Sequence, residues 1–342
     1  MKKNNFIAII LLIIVLFGGS CSKNEKNNII DKKFEQEQLQ EPIAERKIEV
    51  VDMESNSRPY AVVVNNFPSA VKVQTGLSDA YLIYEMPVEG GMSRSLALYK
   101  DKVTSKIGTV RSARHNFLDY VMENDAIFVH FGYSHYAQKE IPTLGINNIN
   151  GLFDSPFWRE NPEGLATEHT AYTSLEKCNE VAKNKGYRLT TENKGVLNYS
   201  LNEVDLSKID DNIIANNVTV TYSNNYYEVN FKYDENSKKY KRYVNGIAHT
   251  DYFTKEHFSA KNIIVVKFNF VNASDNYYLD FKNVGTGNGY YITNGYAIPI
   301  TWEKKDRASK TLYKKLDGTE INVNDGTTYI MMQSANIETK IN

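Results

Sequence analysis

The densest run of groups able to do chemistry is Gly108-Thr-Val-Arg-Ser-Ala-Arg-His115. Arg111, Arg114 and His115 fall where a loop passes into a helix, with Asp119 one turn beyond His115. Guanidinium forks grip carboxylate and phosphate oxygens, and a helix start adds N–H groups of favourable polarity. The run reads as an anion or acidic-glycan pocket, or as a structural ion-pair network with Glu85, Glu89 or Asp119. Glu85 ends a strand, Glu89 sits in the next turn and Arg94 follows. Two carboxylates flanking a turn can serve as the acid and base of a hydrolase. Salt bridges to Arg111 and Arg114 would consume the same two groups.

His130 ends a later strand, and His135 and His169 lie downstream. His115, His130 and His169 can meet at one sheet edge, where strand ends of α/β folds gather ligands. No His-x-x-x-His or His-x-x-Glu-His spacing occurs, so no metal centre is expected. Arg242, His249 and Asp251 surround a hairpin turn, where they line a domain interface or satisfy the turn itself. Gly285-Thr-Gly-Asn-Gly289 is followed by strand and not helix, which excludes a dinucleotide loop. Nucleophile-elbow and phosphate-loop motifs do not occur, and no cofactor is expected.

The elements that must position these groups are legible in outline. Tyr60-Ala-Val-Val-Val-Asn-Asn66, Asp79 to Met86, Ser95 to Tyr99 and Asp125 to Phe131 read as strands. His115 to Glu123 reads as a helix, and Thr173 with Glu176 forms a capping box that opens another. From about Gly195 onward strand alternation dominates, punctuated by Asn245-Gly246, Asn294-Gly295 and Asp317-Gly318 turns. The expected fold class is α+β: an N-terminal mixed α/β layered domain over 58–192, then a mainly antiparallel β domain over 193–342.

Ahead of these lies a segment of different character. Lys2 and Lys3 precede an apolar run from Phe6 to Phe17, then Gly18-Gly19-Ser20 and Cys21. That order is a secretory signal, too short for a comfortable membrane span. A cysteine directly after the small residues is the acceptor of a lipoprotein signal, so residues 1–20 are expected to leave and Cys21 to carry diacylglycerol. Gly18 departs from the Leu commoner three places before such a cysteine. An uncleaved anchor helix is the other reading, and both put the chain outside the cytoplasm. Residues 21–57 are polar and charged, as a tether would be.

Among 342 residues the formal net charge is −1, which argues against an electrostatic nucleic-acid binder. With Cys21 lipidated, Cys178 has no partner and reads as a small buried hydrophobe. There are 24 tyrosines against 2 tryptophans, which suits half-wet sheets and sugar stacking or simply reflects an AT-rich genome.

Arg58-Pro-Tyr-Ala-Val-Val-Val-Asn-Asn66, Gln74 to Ala80, Tyr84 to Gly91, Ile107 to His115 and Val129-His-Phe-Gly132 resemble the N-terminal domain of the YerB-type lipoproteins. Gly289 to Gly295 and Ile298 to Lys304 resemble that family's C-terminal domain. The resemblance implies a two-domain, lipid-anchored envelope protein. It implies no reaction, since the family's role is uncharacterised, but its motif positions include Glu85, Glu89, Arg111, Arg114, His115 and His130.

The leading expectation is a protein on the extracytoplasmic face of the membrane that binds an anionic wall or peptidoglycan component. Arg111, Arg114 and His115 would grip it, Arg94, His130 and His169 would line the pocket, and Glu85 and Glu89 would orient the arginines. A wall hydrolase or transferase using Glu85 or Glu89 is the second expectation. An accessory lipoprotein with a protein partner is the third.

Overall fold

The computed structural model describes residues 46–223 and 227–342. β1 (Tyr60–Asn65) is buried from Ala61 onward, as an apolar run covered on both faces must be. β2 (Leu82–Val88) and β3 (Met92–Tyr99) are buried along their whole length and form a hairpin closed by Glu89–Gly91. β3 runs antiparallel to β1, with Asn65 opposite Arg94. β1 also runs parallel to β5 (Ile127–His130), and β5 to β6 (Asn148–Asn150).

The other flank of β2 takes a strand from the far end of the chain. β2 lies parallel to β15 (Thr328–Ser334), with Ile83 opposite Tyr329. β15 lies parallel to β12 (Asn262–Phe268), followed by the antiparallel β13 (Gly285–Thr293) and β14 (Tyr296–Lys304). One sheet, eleven-stranded among the described residues, therefore draws strands from both sides of residue 192. The fold is α+β.

A second sheet holds β9 (Asn217–Ser223), β10 (Tyr227–Asp234) and β11 (Lys239–Val244) in antiparallel order. Alternate residues of β10 are buried, the mark of a sheet with one wet face. Its dry face covers the first sheet, where the Phe231 and Tyr329 rings meet edge to face at 5.5 Å.

Helices are few. α1 (Phe117–Glu123) starts two residues later than the expected His115. α2 (His135–Thr143) occupies a stretch that reads as a Pro-, Gly- and Asn-rich connection, and the Ser134 hydroxyl caps it by accepting from the Ala137 N–H. α3 (Leu175–Asn184) is capped by Ser174, whose hydroxyl accepts from the Lys177 N–H, and not by Thr173. Thr173 lies instead on β8 (Ala171–Thr173), where its hydroxyl donates to the Pro156 carbonyl at 3.1 Å. β8 pairs with β4 (Ile107–Gly108) and with β7 (Phe157–Arg159). A Cβ on Gly108 would lie 2.6 Å from the Tyr172 ring, so β4 can approach β8 only with glycine there.

Candidate functional site

The segment 109–114 leaves β4 and crosses the carboxyl ends of β1 and β5. Arg111 donates its N–H to Val63 and accepts at its carbonyl from Phe131, so it bridges the two parallel strands. This is the place where parallel strand ends leave room for ligands. Arg94 enters from the start of β3, Arg114 from the end of the crossing, and Glu89 from the β2–β3 turn.

Arg114 holds the Glu89 carboxylate in a fork, Nε to Oε2 at 2.8 Å and Nη2 to Oε1. The Tyr278 ring lies under the same guanidinium, 5.0 Å from its centre. Arg94 donates through Nη1 to the Ser112 carbonyl and holds Nη2 3.7 Å from Glu89. The Arg111 guanidinium makes no hydrogen bond or ion pair among the described residues, and it is part exposed.

Electrostatics reflect this crowding. Burial, with Arg114 and Arg111 close by, pushes Arg94 well below its ordinary value, although a guanidinium stays protonated at neutral pH. Burial likewise lowers Arg111, against the pull of the exposed Glu168, and Arg114 adds to the lowering. Burial would raise Glu89, but the Arg114 fork and Arg94 outweigh it and hold the carboxyl below its usual range.

His169 completes the group. It is buried at the end of a short 3-10 turn (Thr167–His169) and stacks on Phe67 at 4.9 Å and 15°. Burial, then Arg111, lowers its pKa, with Arg94 adding to the effect, so the ring is neutral. Its tautomer follows from the hydrogen bonds. The Asn65 Oδ1 accepts from the Phe67 N–H at 3.1 Å, which leaves Nδ2 to donate to His169 Nδ1 at 2.7 Å. The imidazole proton therefore sits on Nε2. Asn65 was not legible as a site residue. Its position straight after an apolar strand was the one available signal. Tyr278 gave none.

The structure thus brings Arg94, Arg111, Arg114, Glu89 and His169 together and places the other candidates elsewhere. Glu85 is fully buried, accepting from Ser93 Oγ at 2.6 Å and from Arg242 Nη2 at 2.7 Å. Arg242 also meets His249 Nδ1. Asp251 accepts from the Thr75 hydroxyl at 2.8 Å and from the Gly76, Phe253 and Thr254 N–H groups. His130 is in the core, between the Gly132 carbonyl and the Asn148 amide. His115 turns to Asp280, 2.8 Å from Nε2, and lines a separate pocket of about 350 Å³ with Asp119, Glu140 and Arg307. Cys178 is buried beside Thr173, and burial pushes its thiol up to about 12, so it is no nucleophile. Among the described residues no three His, Cys, Asp or Glu side chains are placed to hold a metal. Cys21 lies outside the described residues.

Fold and site together define an α+β protein with an arginine cluster at the carboxyl ends of its central strands. Residues 48–188 match the model for the N-terminal domain of a protein of unknown function (DUF3048), and residues 218–330 match that family's C-terminal domain. A Bacillus subtilis (strain 168) protein described as "Putative lipoprotein YerB" is 31% identical over 273 residues, covering 79% of this chain and 76% of that one. The crystal structure of YerB protein from Bacillus subtilis superposes with a TM-score of 0.71 at 32% identity, covering 81% of this chain and 91% of the solved chain. The chain belongs to the DUF3048 family, that of the YerB-type lipoproteins. No helix among the described residues is long and apolar enough to cross a membrane.

Proposed function

We propose that this is a lipid-anchored protein of the extracytoplasmic face that binds an anionic component of the cell wall through Arg94, Arg111 and Arg114. One observation carries the reading: Arg94 and Arg114 close on a single half-buried carboxylate, Glu89, and the Arg111 guanidinium beside them makes no hydrogen bond or ion pair among the described residues. Crowded like charges cost free energy that an arriving anion relieves. Cys21 supplies the lipid, and the polar residues after it give the site reach from the membrane into the wall. The expected tether over 21–57 is shortened, because the Glu49 and Val50 N–H groups donate to Asp325, Val51 is buried and Ser57 bridges to Thr190.

The experiment is a titration of the full chain with purified wall fragments at constant ionic strength. The double variant Arg111→Ala and Arg114→Ala is expected to abolish binding. Unchanged affinity would sink the reading. Acid–base hydrolysis draws less support, because Arg242 and Ser93 occupy Glu85 and Arg114 occupies Glu89.

A further inference from the structure

We propose that the anion taken by the Arg94, Arg111 and Arg114 site is a doubly charged phosphate group, a phosphomonoester or diphosphate, and not a carboxylate. This rests on the anion-binding reading above and narrows it to a ligand class.

The first support is charge. Three guanidiniums stand beside one half-buried carboxylate, Glu89, which leaves an excess of two positive charges before exposed groups are counted. Glu168 stands within electrostatic reach of Arg111 and His169, but it is exposed and screened by water. A monoanion such as a sugar acid would leave one charge uncompensated. A phosphate dianion neutralises both.

The second support is the donor inventory. Glu89 already shows what one carboxylate takes here, namely the fork of one arginine. What remains uncommitted is every N–H of the Arg111 guanidinium and part of Arg94, which arrive from different elements. The His169 tautomer set by Asn65 adds a further donor, Nε2–H, in place of an acceptor. Donors approaching from several directions suit a tetrahedral oxyanion, whose oxygens point several ways; a planar carboxylate presents two oxygens in one plane. The part-exposed Phe67 ring stacked on His169 offers a flat surface beside the donors for the sugar that bears the phosphate.

The test is calorimetric titration of the full chain near neutral pH and at matched ionic strength. The probes are inorganic pyrophosphate, inorganic phosphate, acetate and galacturonate, with wall fragments before and after chemical removal of their phosphate. Pyrophosphate and phosphate are expected to bind at least about tenfold more tightly than either carboxylate, and Arg111→Ala to weaken them by about tenfold or more. Arg111→Lys, which keeps the charge and loses the fork, should recover only part of the loss. Loss of fragment binding on phosphate removal would assign the phosphate to the wall polymer. Binding of free phosphate alone, with fragments inert, would assign it to a small soluble ligand and retain the ligand class while sinking the wall reading. Fragments that bind equally well after phosphate removal, or a carboxylate that competes as well as phosphate, would overturn the phosphate proposal and leave the anion reading standing. If no anion and no fragment binds, both fall.

Discussion

Arg242, on the second sheet, donates to the carboxylate of Glu85 on the first at 2.7 Å, and both side chains are fully buried. The two residues are 157 positions apart in the chain, so their ion pair pins one sheet onto the other. Ser93 donates to the same carboxylate, and Arg242 also meets His249 Nδ1. Removing one partner of such a pair strands a charge in the core, at a cost of about 3–5 kcal/mol. Glu85→Gln is therefore expected to lower unfolding free energy by that order while leaving anion affinity unchanged in the folded fraction. Urea unfolding with parallel titration checks this. A stable Glu85→Gln protein that has lost a wall-directed activity would restore Glu85 to catalysis.

Glu89 makes the opposite prediction. On the proposed reading its half-buried carboxylate shares the arginines with the incoming anion, so Glu89→Gln leaves Arg94 and Arg114 without their paired carboxylate beside Arg111. Without ligand the variant should lose about 1–3 kcal/mol of stability, the usual penalty for leaving charged partners unsatisfied. Pyrophosphate should restore more stability to the variant than to the wild type, since the site then carries one more positive charge. Thermal melts with and without pyrophosphate provide the readout. An equal rise in both proteins would show that Glu89 and the ligand do not share a field.

Much of this site is legible in the sequence. Strand ends, the loop before α1 and the turn between β2 and β3 follow from local pattern, and local pattern placed Arg94, Arg111 and Arg114 near one another. What failed was what depends on distant pairing. Nothing near Glu85 announces that Arg242 will land on it, because that contact follows from how the second sheet lies over the first. The same limit hid the parallel pairing of β2 with β15, which joins the two halves of the chain. α2 was hidden for a local reason: it lacks an acidic first turn and carries Pro142 in its last one, so start and stop signals are both weak.

Gly289 tests the pairing of β12 with β13. The Gly285-Thr-Gly-Asn-Gly289 run forms the first half of β13. A Cβ on Gly289 would stand 2.0 Å from the Val265 carbonyl oxygen of the neighbouring β12, and backbone cannot step aside as a side-chain tip can. Gly289→Ala is expected to cost about 1–3 kcal/mol, as overpacking does. Denaturant unfolding measures it. A neutral outcome would mean that β12 and β13 are further apart than their pairing places them.

His130 supplies a pH dependence with a definite sign. Burial lowers its pKa from an ordinary 6.5 to about 4, against the pull of the Gly132 carbonyl and Asp154. The ring donates from Nδ1 to Gly132 at 2.7 Å, which leaves Nε2 to accept from the Asn148 amide at 3.0 Å. Protonation would turn that accepting nitrogen into a donor facing another donor, and would do so in the core. Below pH 6.5 the unfolded chain takes a proton that the folded chain refuses until about pH 4. The unfolded state thus binds more protons across that window, so stability is complete above it and declines as pH falls through it. The loss amounts to about 3 kcal/mol once both states are protonated. His130→Gln cannot titrate, so its unfolding free energy, lower at neutral pH, should lose about 3 kcal/mol less than the wild type between neutral and acidic conditions. Unfolding curves for the two proteins across that range decide the matter. Parallel pH profiles would mean that His130 titrates in the folded protein as it does in the open chain, and that the core admits its charge.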